Sequence, residues 1–192
     1  MKIRSLPTIL AALALATASA QAIEAENNLI TNPKFETADS DGHPEGWHVS
    51  HPNYLKQCQT TVEMTAEGET PFYRVTKAAG SGPGLGWQEI QIPEGTTALR
   101  VAVKMRGQNI VRGAEGWAYP GVSVTYLFDG SDQGKPGSWD KWPVLPTGSS
   151  DWQDYEAIIP VAEGAKRASV GIISQGWTGT ADFAEVVVEK VE

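Results

Sequence analysis

The chain has 192 residues and a net charge of −8 at pH 7, a balance that weighs against a nucleic-acid partner or an anionic membrane surface. Its one cysteine, Cys58, excludes an intramolecular disulfide. Twenty glycines, twelve prolines and seven tryptophans point to turns and aromatic surfaces.

The first 22 residues read as a secretory signal: Lys2 and Arg4 form a positive start, residues 6–16 a short apolar run, and small residues allow cleavage after Ala20 or Ala22. The apolar run is shorter than the roughly 20 residues that span a bilayer, so the expectation is a secreted or periplasmic chain without membrane insertion. Residues 23–192 are expected to form a single domain. Its opening stretch, 28–47, carries an Asn32-Pro33 turn signal. Phe35 and Trp47 flank an acidic loop and anchor it to a core. Period-2 alternation then recurs at 55–64, 72–77, 87–92, 99–106, 122–128, 152–160, 168–175 and 182–191, and helical periodicity does not. In 99–106, Leu99, Val101, Val103 and Met105 face in while Arg100, Lys104 and Arg106 face out. Short strands between Gly/Pro turns specify an all-β fold, a β-sandwich jelly roll of two antiparallel sheets. The longest piece without strand character, 129–151, has the length of a functional loop.

Aromatic side chains are the main functional signal. Sugar rings stack their C–H faces on Trp and Tyr, and their hydroxyls seek Asp, Glu, Asn, Gln and Arg, so a glycan site is a set of exposed aromatics with polar groups between them. Trp117 and Tyr119 lie two apart and project from one side if extended. Trp139 and Trp142 sit in the long loop; the alternative is that this loop folds back and plugs one end of the sandwich. Trp87 lies on the Glu89/Gln91 side of its strand. Trp177, two residues after Gln175, either lines a cleft or caps the core. Arg106 and Lys104 would hydrogen-bond hydroxyls or a uronate, or else face solvent. The expected ligand-binding set is Trp87, Trp117, Tyr119, Trp139, Trp142, Trp177, Arg106 and Gln175.

Asn28, Leu29, Ile30, Asn32, Phe35, Glu36, Gly46 and Trp47 resemble the opening of the secreted jelly-roll carbohydrate-binding modules of the four/nine/twenty-two type, in the galactose-binding-like superfamily. Residues 151–172 and the final strand, 181–189, follow the same pattern, with Ala184 and Glu185 where the family has two aspartates. The resemblance implies framework roles for Trp47 and Trp152. It also implies a structural Ca²⁺ between the opening segment and the last strand, held by the Lys34 carbonyl, Glu36 and a carboxylate of Glu185 or Asp182. Such a mixture of carbonyl and carboxylate oxygens suits that ion. Asp39 and Asp41 match only a fragment of a calcium loop, and His43, His48 and His51 lack zinc-site spacing.

No nucleophile elbow, phosphate loop or dinucleotide fingerprint occurs. Glycoside hydrolysis needs two positioned carboxylates, for which Glu89, Glu115, Asp129 and Asp140 are unspecific candidates. The expected function is non-catalytic binding of a polysaccharide or oligosaccharide by a monomer. The alternatives are a small secreted jelly-roll hydrolase or lyase and a structural or adhesion domain without a sugar ligand.

Overall fold

The structure, a computed structural model, describes residues 27–78, 82, 85–114, 118–128, 135–136, 142–173 and 175–192. Residues 1–22, expected to be a signal, lie outside them. A short helix, α1 (Pro52–Gln57), precedes nine strands: β1 (Thr60–Glu67), β2 (Thr70–Lys77), β3 (Trp87–Gln91), β4 (Ala98–Arg112), β5 (Val122–Leu127), β6 (Lys135–Pro136), β7 (Gly148–Pro160), β8 (Arg167–Ile172) and β9 (Trp177–Val191). They form a five-stranded sheet, β1-β2-β9-β4-β7, and a four-stranded sheet, β3-β8-β5-β6, with antiparallel pairing throughout. This is a β-sandwich jelly roll. Among the described residues no helix is long and apolar enough to cross a membrane.

The core follows the alternation. Leu99, Val101, Val103 and Met105 of β4 meet Val122, Val124 and Tyr126 of β5, with Val170 and Ile172 of β8 and Phe183, Val186 and Val188 of β9. The opening segment is sewn to the last strand. The Asn28 carboxamide donates to the Val186 carbonyl (3.1 Å) and accepts from the Val188 amide (2.9 Å), and the Leu29 amide donates to the Val188 carbonyl (2.8 Å). The Asn32 side chain then closes the turn, accepting from the Glu36 amide (2.9 Å) and donating to the Thr37 carbonyl (2.7 Å). Phe35, fully buried at φ +56°, sits 5.3 Å from the Trp47 ring and 5.7 Å from Tyr73.

Several boundaries differ from expectation. The strand expected over 55–64 is divided by α1: Pro52 presets the helical φ, the His51 ring accepts from the Asn53 amide (3.2 Å), and Gln59 at φ +49° turns the chain into β1. Residues 148–151 belong to β7, and β6 lies inside the expected loop. β9 starts at Trp177, five residues early; β8 ends at Ile172.

The inward side of β2 carries one charge. Lys77 is 2% exposed; its ammonium lies 3.5 Å from the Thr60 hydroxyl and 5.6 Å from the centre of the Trp177 ring. Burial pulls its pKa down, against a smaller upward pull from Cys58. Lowered in the folded state, that pKa leaves the unfolded chain binding more protons as pH approaches the ordinary lysine value of about 10.4, so this residue's contribution makes stability rise with pH there. Lys77→Met is expected to raise Tm by roughly 2–4 °C near neutral pH, a gain on the order of 1 kcal/mol. The advantage should shrink as pH climbs toward 10.4. A Met variant less stable than wild type at pH 7 would show that the ammonium's contact with Trp177 outweighs its desolvation.

Candidate functional site

The outer face of the five-stranded sheet carries a constellation that only strand pairing brings together. Alternation sends Arg74 of β2, Asp182 of β9 and Arg106 of β4 outward, and register places Arg74 and Arg106 opposite Asp182 from its two sides. Arg74 grips the carboxylate with two parallel bonds (Nε 2.8 Å, Nη2 2.9 Å), and Arg106 Nε adds a third (2.7 Å). Under them Asp182 is 1% exposed. The Asp182 hydrogen bond holds the Arg74 guanidinium above its ordinary range. At Arg106 burial pulls downward, but bonds to Asp182 and Glu67 more than offset it.

Aromatic rings fill the space around these groups. Phe72 is 2% exposed although it points away from the core, because the guanidiniums of Arg74 (5.2 Å) and Arg106 (5.1 Å) lie over its ring. Arg106 also lies 4.6 Å from the centre of the half-buried Trp152 ring, whose edge contact with Phe72 is 5.5 Å at 73°. Beside this cluster is a pocket of about 200 Å³ lined by Glu67, Thr70, Phe72, Lys104, Trp152 and Ala184. Ala184 is the extra residue of a bulge, since Lys104 pairs with Glu185 but Met105 with Phe183. Its small side chain is part of the pocket lining. Lys104 forms no ion pair with a described residue; Asp154 and Glu185 face it in register on β7 and β9.

Among the described residues, those expected from sequence to bind ligand do not converge. Arg106 is at the centre of the constellation. Trp87 is half-buried on the other sheet, its ring 5.7 Å from His48. Tyr119 is half-buried beneath the Arg112 guanidinium, 4.1 Å from its ring, and its hydroxyl accepts a bond from Arg112. Trp142 packs against the core, its indole N–H buried without a partner among the described residues. Trp177 is 1% exposed and donates to the Ile173 carbonyl (3.0 Å), so it offers no face to a ligand. Gln175 is exposed. Trp117 and Trp139 lie outside the described residues.

The proposed calcium ligands fare differently. Lys34 and Glu36 are exposed, Glu185 is half-buried, and Asp182 is held by two guanidiniums whose positive charge opposes a cation there. Among the described residues no group of three or more His, Cys, Asp and Glu side chains is placed to hold a metal ion. Within that set Asp182 does not suit a cation, because its carboxylate is already neutralised by arginine.

Phe72 and Trp152 were absent from the expected site, yet both left a trace in the sequence. Phe72 and Tyr73 are adjacent on one strand, so one must face outward. Trp152, Asp154 and Glu156 share the face opposite Tyr155, Ala157 and Ile159, a polar pattern that marks Trp152 as external.

No protein-family model and no curated protein matches the sequence. Solved structures do resemble the fold. A structure described as "CBM4 structure and function" matches at a TM-score of 0.56 with 15% identity, over 84% of this chain and 99% of that one. The CBM22-1 xylan-binding domain from Paenibacillus barcinonensis Xyn10C matches at 0.53 with 11% identity, over 86% and 96%. The enzymatically active domain of bacteriophage CBA120 tailspike protein 4 matches at 0.52 with 14% identity, over 86% of this chain; the chain spans only 22% of that protein. The protein thus shares the jelly-roll fold of carbohydrate-binding modules.

Proposed function

We propose that this protein binds carbohydrate without cleaving it, on the outer face of the five-stranded sheet, with the Trp152 ring as the stacking surface and Glu67, Thr70 and Lys104 as hydroxyl partners. The observation that carries this reading is the pocket itself: an aromatic wall, a small side chain and a few polar groups converge on a sheet face. The fold shared with the CBM22-1 xylan-binding domain agrees with it. Hydrolysis would need two carboxylates across the pocket, and the described lining holds one, Glu67, already tied to Arg106.

Affinity electrophoresis against soluble β-glucans, xylans, mannans and galactans, run beside a reducing-sugar assay, tests the reading. Retardation by one class without new reducing ends is the expected result. Trp152→Ala should weaken that interaction roughly 5- to 150-fold, the effect of losing about 1–3 kcal/mol of ring stacking. New reducing ends would replace the binding reading with a catalytic one. Retardation undiminished in Trp152→Ala would move the site elsewhere on the molecule.

A further inference from the structure

Resting on that reading, we infer that the pocket takes the terminal ring of a glycan and not a stretch of internal chain. The β1 side of the pocket is closed. Glu67, at the end of β1, lines it, and its carboxylate is bound to Arg106 Nη1 of β4 at 2.5 Å. In the sheet order β1-β2-β9-β4, this ion pair reaches across β2 and β9. It forms a strap over Phe72, whose ring Arg106 covers.

A second wall runs alongside. Arg74, Asp182 and Arg106 form a continuous hydrogen-bonded ridge across three strands, and Trp152 extends it onto β7 through its contact with Arg106. The ridge is rigid for a physical reason. Its buried carboxylate holds both guanidinium planes, so neither arginine can swing aside without uncovering a charge. With those two sides closed, the approach we infer passes over Lys104 toward β7, an edge strand.

The volume agrees. At about 200 Å³ the space falls below the roughly 300–1,000 Å³ of sites for drug-sized ligands, so it holds one ring and not a row of them. A glycan entering over Lys104 would place its end against Trp152, with the covered Phe72 beneath the strap. The next ring inward would collide with the Glu67–Arg106 strap. Within reach of that terminal ring are the Glu67 carboxylate as acceptor, the Lys104 ammonium as donor and the Thr70 hydroxyl as either.

The test is calorimetric titration of the mature chain with cello-, xylo-, manno- and β-1,4-galacto-oligosaccharide ladders, each from monosaccharide to hexasaccharide. In the ladder that binds, affinity is expected to level off by the disaccharide, changing less than about twofold to the hexasaccharide. The long polymer should bind in proportion to its chain ends, not its mass. Glu67→Ala, which removes the strap, should restore a rise of about tenfold between disaccharide and hexasaccharide. A wild-type affinity that climbs about tenfold over the same span, with Trp152→Ala still weakening binding, overturns chain-end recognition and leaves the carbohydrate reading intact. Failure of every ladder and polymer to bind overturns both. Should Glu67→Ala fail to fold, the wild-type length dependence decides alone.

Discussion

Replacing Phe35 by alanine is expected to destabilise the protein by about 4 kcal/mol, a fall in Tm of roughly 8–16 °C. The side chain is fully buried, and its ring packs against Trp47 and Tyr73. Those neighbours are held from outside the contact: the Trp47 indole N–H donates to the Asn32 carbonyl (3.4 Å) and the Tyr73 hydroxyl to the Leu85 carbonyl (2.6 Å). They cannot collapse into the gap without breaking those bonds, so the cavity term adds to the lost burial. The backbone at Phe35 is in the left-handed region in any case, so alanine recovers none of that cost. Phe35→Leu keeps most of the volume and should lose only about 1.5 kcal/mol. Thermal unfolding followed by far-UV circular dichroism checks the ranking. A drop of less than about 4 °C for the alanine variant would mean that the opening segment contributes little to the cooperative unit.

How much of this was legible in advance depends on the range of the interaction. The inner face of β4 was readable because Leu99, Val101, Val103 and Met105 alternate with polar residues, and that pattern needs no knowledge of neighbouring strands. The anchoring pair Phe35 and Trp47 was readable for a similar reason: both flank a polar loop, and both are buried. Helix α1 was not, since six residues complete too few turns to display a period and its start signal, a histidine cap before proline, is weak.

The site shows the same division more sharply. That Arg106 faces outward follows from its place in β4, but what it meets does not. Its partner Asp182 is 76 positions away, and Arg74 is 108 from the same aspartate. Read alone, an aspartate on the last strand looks like a cation ligand; pairing puts an arginine on each side of it and reverses the electrostatics. Exposure of aromatics misled in the same way. Trp177, beside a Gly-rich turn, is in the core, whereas Trp152, assigned to the framework by its place in a motif, is part of the outer-face cluster.

The largest electrostatic effect is expected at Asp182. Asp182→Ala leaves two guanidiniums facing each other across an emptied position, and breaking a buried pair in this way costs roughly 3–5 kcal/mol. The arginine side chains keep 28% and 16% of their exposure, so both can regain some water, and the lower end, about 3 kcal/mol or roughly 6–12 °C in Tm, is expected. Because the carboxylate is shielded, the loss should persist between low salt and about 1 M salt, where an exposed pair would be screened. Asp182→Asn, which keeps one acceptor oxygen but loses the charge and the second acceptor, should fall between alanine and wild type. Removing all three charges together, as Arg74→Met, Arg106→Met and Asp182→Leu, eliminates the repulsion and should bring Tm back to within a few degrees of wild type, since a buried ion cluster replaced by apolar groups is often neutral in stability. The triple variant's sugar binding should change as in Glu67→Ala, with affinity rising with chain length. The cluster's role in the proposed site is to hold Arg106 against Trp152 and Glu67, and no apolar side chain reproduces that strap. A triple variant that regained stability and kept the wild-type length dependence would show that the charges only support the sheet; one that regained stability but bound longer chains more tightly would place them in the wall of the pocket.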